Sequence, residues 1–237
     1  MSIEPLILIP PILCDARAFG PQIDTFSSEY PVMIAPTSVG ERMEEIASNI
    51  LSWAPAKFAI AGMSMGGAVA LEMLRRAPDR ITRIALISAS AQGETPQAAS
   101  AREPLIVAAR SGRFGDVIHK EMNPNWLAEG PDRVAITNLI SDMGHALGAE
   151  GYVRQARAMQ RRKDQQSTLR MVKQPTLVMC GAEDILLPPR RHEFLAELVP
   201  YAKLEIVPGA GHLPTLEQPE ISNHILRTWM RQPLVLR

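Results

Sequence analysis

The chain has 237 residues, enough to bury a sizeable core as one domain or as one domain carrying an insertion, and nothing in it demands two independent domains. Its 25 basic and 25 acidic residues cancel, and no segment gathers enough Lys and Arg to build a track for phosphates, which excludes nucleic acid as a partner. The nearest candidate, Arg161-Arg162-Lys163 beside Arg154 and Arg157, reads as the solvated face of a polar helical stretch.

The N-terminal stretch Met1-Ser2-Ile3-Glu4-Pro5 has no basic residue, so it lacks the features of a signal peptide. No apolar segment approaches the ~20 residues that span a bilayer. The expectation is a cytoplasmic protein with no membrane contact. Leu6-Ile7-Leu8-Ile9 is a continuous apolar run closed by Pro10-Pro11, the pattern of a strand buried on both faces of a parallel sheet. A loop over 12–20 leads to a helix over 21–28, and Val32-Met33-Ile34-Ala35 forms a second strand ending at Pro36. Residues 41–53 carry Met43, Ile46, Ile50 and Leu51 at helical spacing, which predicts a covering helix that stops before Pro55.

A third strand over 58–63 runs into Gly62-Met63-Ser64-Met65-Gly66-Gly67, and the apolar residues after it suit a helix ending near Arg76, since Pro78 cannot continue it. The form G-x-S-x-G puts a serine on a sharp strand-to-helix turn, with glycines where side chains would collide and the serine backbone strained so that its hydroxyl points out at the sheet's end. The pattern is short enough to occur by chance, and a turn of small residues without chemistry has the same form. A fourth strand follows over 81–88.

From Ala91 the pattern changes. No clear strand appears until about residue 171, and the segments 98–109, 114–121, 131–147 and 152–160 read as helices. Strands resume at 176–180 and 203–207, joined by a helix over 190–198, and an amphipathic helix over 220–230 closes the chain. Strands alternating with helices predict a parallel sheet with right-handed crossovers and helices on both faces. The domain reading is a core of residues 1–90 and 171–237 with a helical cap, 91–170, inserted over the sheet's C-terminal edge. There is no internal repeat and no low-complexity tract.

In an open parallel sheet, ligands bind beyond the carboxyl ends of the strands, where the loops holding Ser64, Asp184 and His212 all emerge. A serine hydroxyl needs a neighbouring base, which histidine supplies near neutral pH, and the imidazole needs a carboxylate to fix its tautomer and stabilise its charged form. Asp184 could instead cap the helix that follows it, but its Gly-x-x-Asp spacing after a strand favours the site over its neighbour Glu183. Among the other histidines, His192 and His224 fall in core helices as surface or packing residues, and His119 and His145 belong to the cap. Cys14, beside the loop after the first strand, reads as a packed thiol.

Gly62 to Gly67, then Gly181-Ala182-Glu183-Asp184 with Pro188-Pro189, then Gly211-His212-Leu213-Pro214 with Glu217-Gln218-Pro219 occur in that order, each after a strand. On these residues the chain resembles the α/β-hydrolase superfamily over nearly its whole length, and it is similar to the small carboxylesterases of the pimeloyl-carrier-protein methyl esterase type. The resemblance implies a three-layer α/β fold with a helical cap after the fourth strand, Ser64 as nucleophile, His212 as base and then acid, and Asp184 as the orienting carboxylate. It implies an oxyanion hole from the Met65 N–H and a second N–H after the first strand, by position Ile12, with Leu13 as the fallback. The chain departs from the family where Pro10-Pro11 replace the usual His-Gly. It also has only five residues before the first strand, where family members carry two antiparallel strands, so the sheet is expected to be trimmed to six parallel strands in the order 2-1-3-4-5-6. Three strand spacings then separate Cys14 from Cys180, roughly 14 Å, beyond disulfide reach.

The function expected is hydrolysis of a small or medium ester, lactone or thioester through an acyl-enzyme. It needs no metal and no organic cofactor, and the protein acts as a monomer or homodimer on a small-molecule ester substrate. Trp126, Met143, His145 and Leu213 are candidates to line the substrate pocket, although packing of the cap against the sheet uses the same apolar positions. C–C bond hydrolysis, a cofactor-free dioxygenase reaction and a slow-turnover ligand receptor are compatible with the same scaffold. Serine at 64, where dehalogenases of this fold use aspartate, argues against haloalkane chemistry.

Overall fold

The computed structural model of the chain describes residues 3–234; Met1, Ser2 and residues 235–237, which the sequence reading assigns to the core, lie outside the described residues. Six strands, β1 (Leu6–Ile9), β2 (Val32–Ile34), β3 (Phe58–Met63), β4 (Ile81–Ile87), β5 (Thr176–Gly181) and β6 (Lys203–Val207), form one sheet in the order β2-β1-β3-β4-β5-β6. Every neighbouring pair is parallel. This is the order expected from the sequence.

Side chains alternate across a strand, so a strand covered on both faces must be apolar at every position. In β1, Ile7 and Ile9 enter one core cluster with Ile46, Ile50, Met73 and Leu195 from the helices on that face. Leu6 and Leu8 enter the other, with Phe26, Leu226 and Trp229. All four β1 side chains are fully buried. The first face is covered by α2 (Met43–Trp53), α3 (Met65–Arg76) and α8 (Pro189–Glu197), and the second by α1 (Gly20–Phe26) and α10 (Pro219–Met230). Cys14 and Cys180 are both free, and burial pushes both thiols up.

Between β4 and β5 the chain forms α4 (Pro96–Arg110), α5 (Phe114–Glu121), a 3-10 turn Pro124–Trp126, α6 (Arg133–Gln160) and α7 (Gln166–Arg170). The sequence reading divides α6 into two helices with a break over 148–151. The structure has that break: within Arg133–Gln160 two helices meet at Gly148, whose φ of 77° and ψ of 163° leave the helical region. Glycine adopts that positive φ without a Cβ clash, so the two helices join at a one-residue kink rather than across four residues. The 3-10 turn Ala16–Phe19, α7 and the four-residue α9 (Pro214–Glu217) are too short to show periodicity in the sequence. Among the described residues no helix is long and apolar enough to cross a membrane.

Candidate active site

Ser64 stands between β3 and α3 at φ 53° and ψ −112°, a conformation that costs about 1–3 kcal/mol for a residue with a side chain. Its surroundings hold it there. The Ser64 N–H donates to the Ile87 carbonyl at 2.9 Å, and its own carbonyl accepts the Gly67 N–H at 3.0 Å. Gly62 and Gly66 let the turn close: a Cβ on Gly62 would lie 2.3 Å from the Gly66 oxygen, and one on Gly66 would lie 2.0 Å from the Ile9 oxygen.

β5 ends at Gly181, and three residues on Asp184 is almost wholly buried. Its Oδ1 accepts the backbone N–H groups of Leu186 at 3.0 Å and Leu187 at 2.8 Å, which orients the carboxylate. Its Oδ2 faces His212 Nδ1 at 2.8 Å. The ionised carboxylate only accepts, so the imidazole proton sits on Nδ1 and Nε2 is left as an acceptor. Nε2 lies 3.1 Å from the Ser64 hydroxyl, which donates to it. Three residues from three strand ends thus form one hydrogen-bonded line, and the competing Glu183 stays exposed.

The loop carrying His212 is held by a group the sequence reading assigns no role. Glu217 accepts the N–H of Gly211 at 2.8 Å on Oε2 and that of Leu213 at 2.7 Å on Oε1, bracketing the histidine. The same Oε2 accepts the Ala128 N–H at 2.7 Å, and the His212 N–H donates to the Trp126 carbonyl at 2.8 Å. The inserted helical segment is therefore bonded directly to the histidine loop. The sequence signal for Glu217 is the run Glu217-Gln218-Pro219, five residues beyond His212 and at the end of the Pro-led α9.

Both N–H groups expected to hold an oxyanion, those of Met65 and Ile12, are without an acceptor among the described residues. Met65 is the first residue of α3, where a helix leaves its N–H groups unpaired. The fallback, Leu13, is corrected: its N–H already donates to Gln155 Oε1 at 2.9 Å. Of the four expected lining residues, Trp126 and Leu213 wall a narrow cleft of about 10 Å3 that adjoins His212, together with Met122, Asn123, Leu127 and Ile140. Trp126 meets the imidazole edge to face at 6.3 Å. Met143 does not line it; it is fully buried in the core and its Sδ accepts the Asp15 N–H at 3.5 Å. His145 does not either. It stands on the exposed face of α6, its Nδ1 bonded to the Ser141 carbonyl at 2.8 Å and its ring edge on Phe114. Helical spacing alone left the phase of α6 undetermined.

His192 of α8 is fully buried, the packing alternative of the two, and neither ring nitrogen has a hydrogen-bond partner among the described residues. Burial pushes its pKa down to about 4, with the Asp184 charge opposing. Between that value and the ordinary 6.5 the unfolded chain binds a proton that the native fold refuses, so this group removes stability as pH falls through the window, up to about 3 kcal/mol by pH 4. His192→Leu is expected to lose less stability than wild type between pH 7 and pH 4.5 in urea unfolding. An equal loss in both proteins would refute this assignment.

A parallel sheet covered on both faces, which delivers a hydroxyl, an imidazole and a carboxylate to one point beyond its C-terminal edge, defines the class as a hydrolase. The model of the alpha/beta hydrolase family matches residues 10–222, and the chain belongs to that family. It is 30% identical over 198 residues to a pimeloyl-[acyl-carrier protein] methyl ester esterase of Aromatoleum aromaticum, covering 76% of this chain and 77% of that one. It is 25% identical over 178 residues to 3-oxoadipate enol-lactonase 2 of Acinetobacter baylyi, covering 72% and 62% respectively. Among solved structures, a thermophilic esterase from Thermogutta terrifontis superimposes with a TM-score of 0.87 at 28% identity, over 96% of this chain and 89% of the other.

Proposed function

We propose that the protein is a cytoplasmic serine esterase that cleaves a small, largely apolar carboxylic ester or lactone through an acyl-enzyme. One observation carries the reading: the Ser64 hydroxyl, the His212 imidazole and the Asp184 carboxylate are joined at 3.1 and 2.8 Å beside the cleft. Ser64 Oγ attacks the ester carbonyl carbon while its proton passes to His212 Nε2, and Asp184 stabilises the imidazolium. The carbonyl oxygen gains the charge and is held by the N–H groups of Met65 and Ile12. His212 then gives its proton to the leaving alkoxide, which departs as the alcohol and leaves acyl-Ser64. Water adds to the acyl carbon, its proton goes to His212, and collapse of the adduct releases the acid as Ser64 takes the proton back.

Support for the substrate class comes from the cleft and from the relatives. The cleft encloses only about 10 Å3, room for about one water, and its lining is apolar apart from Asn123 and His212, which suits a short apolar group rather than a long chain. Among the relatives, those named for a methyl ester, an enol-lactone and esterase activity act on acyl–oxygen bonds, a lactone being an ester closed into a ring, while others are named as putative carbamate hydrolases. In this reading the segment 91–170 is a cap that walls the site, and the enzyme works as a monomer or homodimer on a small molecule.

Mixing the protein with p-nitrophenyl acetate, butyrate and octanoate tests the proposal. An acyl-enzyme predicts a burst of p-nitrophenolate equal to the enzyme concentration where deacylation is slow, with turnover higher on the two short esters than on octanoate. Absence of hydrolysis on all three esters, and on a five-membered lactone, would reject it.

A further inference from the structure

Gln155 is the one amide in an otherwise apolar stretch of α6, Tyr152-Val153-Arg154-Gln155-Ala156, apart from the arginine. Its side chain is fully buried, and a buried amide is tolerated only where both its ends find partners. Both do. Oε1 accepts the Leu13 N–H at 2.9 Å, and Nε2 donates to Thr37 Oγ1 at 2.8 Å. The three residues come from the loop after β1, the loop after β2 and the inserted helix, and Leu13 and Thr37 are themselves buried.

The bond to Leu13 falls on a strained position. Leu13 has φ 62°, a left-handed conformation that a branched side chain holds only when its surroundings enforce it. The peptide that carries the Leu13 N–H is the one immediately after Ile12, whose own N–H has no acceptor among the described residues. A second tie joins the same loop to the same helix: Asp15 N–H meets Met143 Sδ at 3.5 Å. Met143 and Gln155 lie on opposite sides of the Gly148 kink, so the two arms of α6 both hold this loop. Just before it, the Pro10 backbone packs on the first turn of α3, where an added Cβ at Gly66 would come within 2.8 Å of the Pro10 oxygen, one residue from Met65.

We propose that Gln155 is a positioning residue of the oxyanion site. It touches no substrate; it holds the Ile12–Leu13 peptide so that the Ile12 N–H stays aimed at the oxyanion, and it makes the inserted helix part of the catalytic geometry rather than only a wall. This rests on the ester-cleavage reading above. A hydrogen bond to the oxyanion strengthens as its charge develops, so loss of aim lowers kcat and leaves KM nearly unchanged.

Kinetics of the full-length protein on p-nitrophenyl butyrate, with Ser64→Ala as control, test the idea. Gln155→Met keeps the bulk and removes both hydrogen bonds; its kcat is expected to fall roughly 10- to 100-fold with KM within about twofold of wild type. The pH midpoint of kcat should not move, since His212 and Asp184 are untouched. Gln155→Glu, which can still accept from Leu13 and bond to Thr37, should recover most of that loss. A Gln155→Met enzyme with wild-type kcat per folded molecule, or an equal fall in Gln155→Glu, would overturn the proposal. If Gln155→Met does not fold, Thr37→Val decides: it leaves the Leu13 bond but frees the amide's other end, so a several-fold fall in kcat at constant KM supports the role and an unchanged kcat overturns it. Ester hydrolysis that survives Ser64→Ala would instead reject the underlying mechanism, whatever the Gln155 variants do.

Discussion

Ser64→Ala is expected to lower kcat on short p-nitrophenyl esters by about 10^4- to 10^6-fold, while KM and the melting temperature stay close to wild type. The size follows from what one atom does. Without Oγ there is no attacking group, and His212 and Asp184 have nothing to activate, so the three residues fail as a unit and not in proportion. What survives is the oxyanion site and substrate binding, which retain a small acceleration over water. Stability should be spared because the turn is not held by the hydroxyl. Its backbone bonds to Ile87 and Gly67 and its glycine contacts all persist with alanine, which carries the same Cβ at φ 53°. Ser64 is only half-buried, and His212 Nε2 loses one partner at the edge of the cleft, where water can replace it. The measurement is steady-state kinetics beside thermal unfolding, with titration by a fluorophosphonate probe to exclude wild-type carry-over. Activity within tenfold of wild type would remove Ser64 from the mechanism.

The features readable from the chain are those written in contiguous residues. β1 and β3 are apolar without interruption because both faces of the sheet are covered, and that pattern fixes a parallel sheet with its strand ends on one edge. Ser64 follows its strand directly, and Asp184 and His212 lie three and five residues beyond theirs, so sequence position alone brings their loops to that edge. The details that aim the groups are written elsewhere. Pro10-Pro11 restrict φ but say nothing of Leu13, whose left-handed turn is bonded through its N–H to Gln155, 142 positions along the chain. Glu217 acts through backbone N–H groups of Gly211, Leu213 and Ala128, and backbone donors leave no mark in the residue types. The inserted segment is the least legible, because it runs as two helices joined at Gly148 and helical spacing alone does not say which face of each meets the core. In the first of them Met143 faces the core and His145, two residues on, faces the solvent, while Trp126 comes to His212 from a 3-10 turn too short to carry a period.

Gly66→Ala is expected to be among the most damaging single substitutions, lowering stability by about 4 kcal/mol or more and the melting temperature by roughly 10 °C or more. Within a helix, alanine is ordinarily the better residue by up to about 1 kcal/mol. At this position the contact decides against it. The added methyl would stand 2.0 Å from the Ile9 oxygen, 2.7 Å from the Ile9 carbonyl carbon and 2.8 Å from the Pro10 oxygen. All three are backbone atoms of the interior strand β1 and the loop beyond it, so no rotamer change relieves the clash. Either α3 lifts from the sheet, opening the packing of Met65, Val69 and Met73, or the end of β1 moves and carries the 10–13 loop with it. The second course displaces the Ile12 N–H relative to Ser64, so the protein that remains folded should also lose kcat. Gly115→Ala in α5 supplies the contrast, because nothing lies within 4 Å of its added methyl and the helical preference is left to act alone. That variant is expected to gain a few tenths to about 1 kcal/mol. Urea unfolding of the two proteins beside wild type reads both signs at once, and a Gly66→Ala protein as stable as wild type would mean that β1 and α3 do not approach each other as closely as this geometry requires.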